Sequence, residues 1–337
     1  MKAVAYYQSL PSSDPHSLQD IELPAPTPGP RDLLVAVRAI SVNPVDTKIR
    51  RNVAPADGQA KVLGWDVAGV VQAVGSEVSL FQVGDEVFYA GALQRQGGNS
   101  ELHVVDERIV GHKPKRLGFA EAAALPLTAI TAWELLFERL KIAEGSASSG
   151  QSLLIIGAAG GVGSILTQLA RQLTGLTVIG TASRPETADW VRQLGAHHVL
   201  DHSQPLLPQL QQLGIQQVNH VASLTHTDQH YDQLIEALAP QGQLALIDDP
   251  AQLDVVKLKR KSLSLHWEFM YTRSLFETPD MQAQHALLER VAQLIDAGTL
   301  HTTLGEHFGS INASNLRRAH VLLESGKARG KIVLEGF

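Results

Sequence analysis

The chain has no cysteine among its 337 residues. Disulfides, thiolate nucleophiles and every zinc site built on sulfur ligands are therefore excluded. It also lacks any block of lysine or arginine, and its formal net charge is −6, so the electrostatic footprint of a nucleic-acid binder is missing. The short basic run Lys257–Lys261 reads as a solvated face. No stretch approaches the length of a membrane span, and the amino terminus, Met1-Lys2-Ala3-Val4-Ala5-Tyr6-Tyr7, has no signal-peptide shape; both point to a cytoplasmic protein with no membrane partner. No internal repeat or low-complexity tract interrupts the chain, and the glutamine-rich stretch Gln209–Gln217 is short. The apolar fraction of 44% and the charged fraction of 18% are those of an ordinary globular protein, and the length suits two domains.

Against these absences stands one dense local pattern, Ser152-Leu153-Leu154-Ile155-Ile156-Gly157-Ala158-Ala159-Gly160-Gly161-Val162-Gly163-Ser164. A short apolar run breaks into glycines and resumes with helical spacing, the order of a strand, a turn and a helix start. A pyrophosphate needs backbone N–H groups at close range and the positive end of a helix dipole, and a side chain at Gly160 or Gly163 would obstruct that approach. The three glycine places of the dinucleotide motif hold Ala158, Gly160 and Gly163, so the match is imperfect when taken alone. Its surroundings strengthen it. Ile165-Leu166 and Leu169-Ala170 continue at helical spacing, Gly175 stops the helix, and Leu176–Gly180 is a second apolar run, which together make a βαβ unit. Further strands are predicted over Val218–Val221 and Gln243–Ile247, with a helix over Tyr231–Leu238 between them.

The end of the second strand bears on the choice of dinucleotide, because an acid there holds a free ribose 2′-hydroxyl while an arginine accommodates a 2′-phosphate. Here the run ends Thr181-Ala182-Ser183-Arg184. Glu186, after Pro185, reads as the first-turn acid of the next helix. Ser183 and Arg184 would then meet a 2′-phosphate, for which a bidentate guanidinium is well suited, and NADPH is expected rather than NADH. An ordinary surface arginine is the competing explanation.

Before residue 125 the chain changes character. Short β-like runs, Asp32–Ser41, Val67–Val74 and Glu86–Ala90, are separated by the turn signals Pro28-Gly29-Pro30, Gly75-Ser76 and Val83-Gly84-Asp85. Helices are predicted over Ala120–Ala124 and Ala132–Leu140, and Glu144–Gly150 reads as a linker. Beyond residue 255 come amphipathic helices over Met281–Ala297 and Ala313–Glu324 and a closing strand, Gly330-Lys331-Ile332-Val333-Leu334.

Several of these segments carry a resemblance that covers essentially the whole chain: Asn43-Pro44-Val45-Asp46, Gly64-Trp65-Asp66-Val67-Ala68-Gly69, Val83-Gly84-Asp85-Glu86-Val87, Thr131-Ala132-Trp133, the glycine turn, and the closing strand. The sequence resembles the medium-chain dehydrogenase/reductase superfamily, in particular its quinone oxidoreductase and zinc-type alcohol-dehydrogenase-like branch. The resemblance implies an α/β fold with a GroES-like β-rich catalytic domain (1–125) and an inserted Rossmann NADP(H)-binding domain (126–265). A return segment (266–337) completes the catalytic domain, and the active site lies in the cleft.

Zinc members of that family place a cysteine where Asn43 stands, a histidine where Trp65 stands and another cysteine near Leu127, and Asp66 corresponds to their neighbouring glutamate. None of the three inner ligands is present, and Tyr89–Asn99 holds no sulfur for a structural zinc lobe. Asp66 alone cannot satisfy a tetrahedral ion, so no metal is expected. His226 and His230 share a helix-compatible spacing, but Thr227 stands where a metalloprotease motif would carry its glutamate, and the two read as surface histidines.

The same resemblance places Asn43 beside the nicotinamide and Thr131 in hydrogen-bonding reach of it, with Thr128 as a weaker substitute. Ala159, Gly160, Gly161, Val162 and Gly163 form the phosphate turn. His202 falls where relatives often carry a tyrosine near the adenosine ribose, and Arg329 and Lys331 lie on the return segment near the cofactor. For the catalytic acid, Tyr89 leads with Lys48 and Asp46 behind it, and structural explanations compete for each; Asp46 can anchor the turn after the strand. Trp65 and Tyr89 would line an apolar pocket.

Without a metal, the substrate must accept hydride readily, and quinones and α,β-unsaturated carbonyls do so because conjugation spreads the developing charge. The expectation is a zinc-independent oxidoreductase that passes hydride from NADPH to a quinone or enone. An NADPH-binding redox sensor with little turnover and a zinc-type alcohol dehydrogenase are the alternatives. Relatives commonly pair through the Rossmann sheet, so a homodimer is expected.

Overall fold

The computed structural model describes all residues 1–337. The first part of the chain forms β1 (Lys2–Tyr6), β2 (Gln19–Glu22), β3 (Asp32–Val42), α1 (Pro44–Asn52), β4 (Lys61–Val62), β5 (Val67–Val74), β6 (Glu86–Tyr89), β7 (Leu102–Asp106), β8 (Val110–His112), α2 (Phe119–Ala123) and α3 (Pro126–Trp133). The middle forms β9 (Ser152–Ile156), α4 (Gly161–Leu173), β10 (Thr177–Thr181), α5 (Pro185–Gln193), β11 (His198–Leu200), α6 (Leu206–Gln212), β12 (Val218–Ser223), α7 (Thr227–Ala237), β13 (Leu238–Leu246) and β14 (Ser264–Trp267). The remainder forms α8 (Thr272–Phe276), α9 (Ala283–Asp296), β15 (Leu304–His307), α10 (Ala313–Glu324) and β16 (Lys331–Glu335). Two compact units result, Met1–Ile130 with Tyr271–Phe337, and Thr131–Met270.

In the β-rich unit the 11-residue strand β3 is the organiser. It pairs antiparallel with β5 through two register shifts, with β7 over Asp32–Ala36, and with β16 from Ile332↔Val42 to Glu335↔Ala39. Such shifts bend a strand and increase its twist, which lets one long strand serve several partners. The resulting order is β15-β16-β3-β5-β6-β8, and a second small sheet has the order β2-β1-β4. Because β16 pairs with the end of β3, Lys331 is carried to the place where the chain turns from β3 into α1.

The other unit is a six-stranded parallel sheet of order β11-β10-β9-β12-β13-β14. Strand β9 is buried along its whole length, as its unbroken Leu-Leu-Ile-Ile run requires of a central parallel strand. Its neighbours are β10 and β12, so the strand order reverses at β9 and the glycine turn sits at that switch point, where open α/β sheets bind ligands. The core on one face joins Leu154, Ile156, Ile179, Val221, Leu244 and Leu246. The protein is thus a mixed α/β structure with a GroES-like part and a Rossmann-like parallel sheet.

Some expectations shift. The predicted helix over Ala132–Leu140 begins earlier, at Pro126, and passes into a π-helical stretch, Glu134–Arg139. Apolar residues surround this helix on all sides, so it shows no amphipathic period to mark its start. The whole run Phe119–Arg139 is long and apolar enough by composition to cross a membrane, contrary to the expectation that no stretch approaches that length, and 78% of its apolar window is buried inside the protein. A short 3-10 turn, Ser146–Ser148, interrupts the predicted linker.

Candidate active site

The turn from β3 into α1 builds a buried polar knot. Asn43 is extended (φ −132°, ψ 157°) and Pro44 pre-sets the first helical residue. The Asp46 carboxylate reaches back to accept the Asn43 N–H at 2.6 Å and takes the Gly64 N–H at 3.0 Å. Asn43 Nδ2 donates to Asp66 Oδ2 at 2.8 Å, and the other oxygen of Asp66 accepts the Leu127 N–H at 2.8 Å. The Lys331 ammonium closes the arrangement by donating to Val42 O at 2.8 Å, to Asp66 Oδ2 at 3.0 Å and to Asn43 Oδ1. An ammonium has three donors, and here each has an acceptor.

All of these side chains are buried, with Asp46 and Asp66 wholly enclosed. Burial raises the Asp46 carboxyl to about 7; the Asn43 N–H and Lys331 oppose the rise and Asp66 adds to it. Asp66 is also pushed up by burial, against the pull of Lys331 and Asn43. Tyr271 shares this field: burial, then Asp46 and Asp66, push its phenol well above the usual value. Sequence reasoning passed over Tyr271 because it lies far from Asp46 and Asp66 along the chain.

The three positions that the resemblance matches to zinc ligands, Asn43, Trp65 and Leu127, hold an amide, an indole and an aliphatic side chain. Trp65 is fully enclosed, and its Nε1 donates to Ala92 O at 3.2 Å. A dication here would have to displace a buried ammonium and recruit ligands already spent on it, so this donor set does not fit zinc. No group of three or more histidines and carboxylates elsewhere is assembled to hold a metal ion.

Lys331, expected near the cofactor, spends its donors on Val42, Asn43 and Asp66 and serves as the internal cation of the knot. One expectation needs correcting. Tyr89 was the leading proton donor and, with Trp65, a pocket wall; both rings are fully buried in the core. His103 Nε2 lies 3.0 Å from Gln96 O and must donate to it, which leaves Nδ1 to accept the Tyr89 hydroxyl at 2.9 Å. Burial lowers His103 to about 4, so this neutral pairing persists. Thr128 donates to Leu125 O at 3.0 Å, and both Thr128 and Thr131 are buried. Lys48 and Arg329 are half-buried.

In the nucleotide unit the glycine turn has the form the sequence implied. Gly157 adopts φ +76°, and a Cβ at Gly163 would lie 2.4 Å from Gly157 O and 2.5 Å from Ala158 Cα, so that position admits only glycine without displacement. Gly160 caps α4, and Gly161, Val162 and Gly163 form its first turn. Thr181 Oγ1 accepts the Gly157 N–H at 3.1 Å and lies 3.2 Å from His202 Nδ1. Ser183 is exposed; Arg184 caps α5, and its Nε is 3.4 Å from Glu186 Oε1. His230, read as a surface residue, is instead half-buried against His202. Thr181 and Asp248 escaped the sequence reading. Asp248 accepts the Thr227 N–H at 2.8 Å and its hydroxyl at 2.5 Å, anchoring the start of α7. A separate cleft of about 630 Å³ is bordered by Asp228, Asp232 and Asp254, whose charge is unsuited to a pyrophosphate.

Residues 29–133 match the alcohol dehydrogenase GroES-like domain, and 194–334 match a zinc-binding dehydrogenase domain. Over 336 residues, 99% of both chains, the protein is 41% identical to a zinc-type alcohol dehydrogenase-like protein of Staphylococcus aureus. It is 34% identical over 313 residues to a quinone oxidoreductase of Pseudomonas aeruginosa, covering 91% of this chain and 92% of that one. A solved Rhizobium etli structure, provisionally described as a zinc-dependent alcohol dehydrogenase, superposes with a TM-score of 0.97 at 56% identity and covers 100% of this chain and 98% of that one. A mycobacterial protein complexed with NADPH superposes with a TM-score of 0.84 at 27% identity, covering 99% of each chain. With the glycine turn, the GroES-like strands and relatives alike along nearly its full length, the chain belongs to the medium-chain dehydrogenase/reductase superfamily, in the branch of zinc-type alcohol dehydrogenase-like proteins and quinone oxidoreductases.

Proposed function

We propose that this oxidoreductase passes hydride from NADPH to a quinone or an α,β-unsaturated carbonyl without a metal. The observation that carries the reading is the knot. Where a Lewis acid would polarise a substrate oxygen, Asn43, Asp66 and Lys331 are satisfied by one another. The acceptor must therefore bring its own means of spreading negative charge, and conjugation does this. NADPH, when bound, supplies the hydride.

The chain's own residues bind and orient. The Gly160 N–H is spent on Gly157 O, and Ala159, Gly161, Val162 and Gly163 supply the backbone N–H groups at the start of α4, the geometry that suits a pyrophosphate. Ser183 and Arg184 follow β10 with no acid at its end, which favours a 2′-phosphate over a free hydroxyl. The mycobacterial neighbour complexed with NADPH supports that choice, and the Pseudomonas aeruginosa quinone oxidoreductase supports the acceptor class. Tyr271 is buried like Tyr89, but it alone of the two stands in the field of Asp46 and Asp66, and we assign it the proton-donating role. Strand β14 ends the parallel sheet with an unpaired edge and an exposed Trp267, a fit for pairing with a second copy.

The test is NADPH oxidation by chelator-treated protein offered 1,4-benzoquinone and a panel of enones, with NADH in parallel and light scattering for the dimer. NADPH-selective turnover that survives chelation is the expected result. Tight NADPH binding without turnover would move the protein to the redox-sensor reading, and activity lost on chelation and restored by zinc would overturn the metal-free one.

A further inference from the structure

Three histidines gather at the carboxyl end of the parallel sheet. His202 follows β11, and His226 and His230 lie at the start and in the first turn of α7. The rings of His202 and His230 meet at a steep angle with centroids 5.9 Å apart. Thr181 joins this pair to the phosphate turn, because its hydroxyl takes the Gly157 N–H and also contacts His202 Nδ1. Ser183 and Arg184 come immediately after it. The Thr181 hydroxyl can donate to a neutral Nδ1 or accept from a protonated one, so it holds His202 in either charge state. Nδ1 of His230 is enclosed and has no hydrogen-bond partner. His226 has a left-handed backbone with φ 51°, unusual for a residue other than glycine.

In the free protein the pair is held neutral. Burial lowers both imidazoles; His226 lowers each further, and His202 adds to the effect on His230. Asp201 opposes this at His202, and Asp228 and Asp248 oppose it at His230. Asp248 is already engaged by Thr227, and Arg184 faces Glu186. An arriving dianion would tip a pair so poised.

We infer that a phosphate monoester bound beside Ser183 and Arg184 draws a proton onto the His202–His230 pair, so that preference for the 2′-phosphorylated dinucleotide strengthens as pH falls. The inference rests on the NADP(H) reading above and adds proton linkage to it. The proton comes from solvent and no covalent bond changes. The rings are close enough to share one added charge and to resist a second. The phosphate's own second ionisation, near pH 6, acts with the opposite sign, since cations favour the dianion and its formation releases a proton.

The experiment is calorimetric titration of the full chain with NADP+ and with NAD+, at about pH 7 in two buffers of different ionisation enthalpy, repeated across pH. Uptake of a fraction of a proton with NADP+ and none with NAD+ is expected, with NADP+ affinity falling about two- to fivefold per pH unit around neutrality. His202→Gln and His230→Gln should each abolish the uptake; His230→Gln should leave the Kd for NAD+ unchanged, and an unaltered thermal unfolding midpoint shows that both variants are folded. Equal uptake with both dinucleotides, none with either, or uptake that persists in both variants would overturn the inference. NADP+ binding no tighter than NAD+ would overturn the cofactor reading and the inference with it.

Discussion

In the β-rich unit, four polar side chains close on one another until Lys331 has no donor to spare. In the nucleotide unit, by contrast, His230 keeps an enclosed ring nitrogen without a partner and Ser183 lies open to solvent. The difference teaches that a closed network fixes geometry and a half-open one receives, because in a low-dielectric setting each unsatisfied group raises the stake of a new contact.

Breaking the closed side should have the largest effect. Lys331→Met leaves Asp66 buried without its cation and should cost about 3–5 kcal/mol in urea unfolding, with partial recovery when Asp66→Asn is added. A loss below about 1 kcal/mol would mean the knot is not closed in solution. Next comes the pair of phenols. Tyr271→Phe should reduce turnover about a hundredfold or more with little change in KM for NADPH, the range for a lost proton donor. Tyr89→Phe should instead lower stability by about 1–3 kcal/mol, because His103 Nδ1 loses its donor inside the core, and leave turnover intact.

On the open side, Arg184→Ala should raise KM for NADPH about tenfold and leave NADH unaffected, since a charge-assisted contact is worth about 1.5–3 kcal/mol and Glu186 already competes for the guanidinium. Steady-state kinetics with both cofactors measures it. The last effect is a slope. Asp46 rises from 3.8 to about 7, so the folded protein keeps a proton that the unfolded chain gives up, and this group lowers stability as pH climbs through that window. His103 and His320, lowered to about 4 and about 3, act the other way up to their usual 6.5. Asp46→Asn removes only the first effect. The stability of the variant relative to the parent should therefore grow from about pH 4 to about pH 7 in a series of urea titrations.

The two clusters also differ in how much of them could be read beforehand. The glycine turn, Ser183 and Arg184 lie within 28 consecutive residues, 157–184, where local spacing and strand ends carry the signal. The helix expected over Ala313–Glu324 has those bounds, and β5 matches Val67–Val74, because amphipathic and alternating patterns are local. The knot joins Asn43 to Lys331 across 288 residues, and no periodicity encodes such a meeting. Resemblance pointed to Lys331, but not to Val42, Asn43 and Asp66 as its partners. The core position of Tyr89 was hidden for a related reason: its partner His103 lies on another strand, and the run Glu86–Ala90 does not encode which way the ring points. The edge strand β14 was also missed, its four residues being too short to show alternation.

The reach of Lys331 has a consequence for the birth of the protein. A ribosome adding roughly 5–20 residues per second exposes Asn43 and Asp66 on the order of 15–60 s before Lys331 is made. Throughout that interval β3 lacks β16, and Asp66 lacks its counter-charge. The intervening parallel sheet, whose strands all lie within 152–267, can assemble meanwhile. The unit that holds Asn43 and Asp66 is thus completed only after the parallel sheet it encloses in sequence, and until then the edge of β3 that β16 will cover lies open.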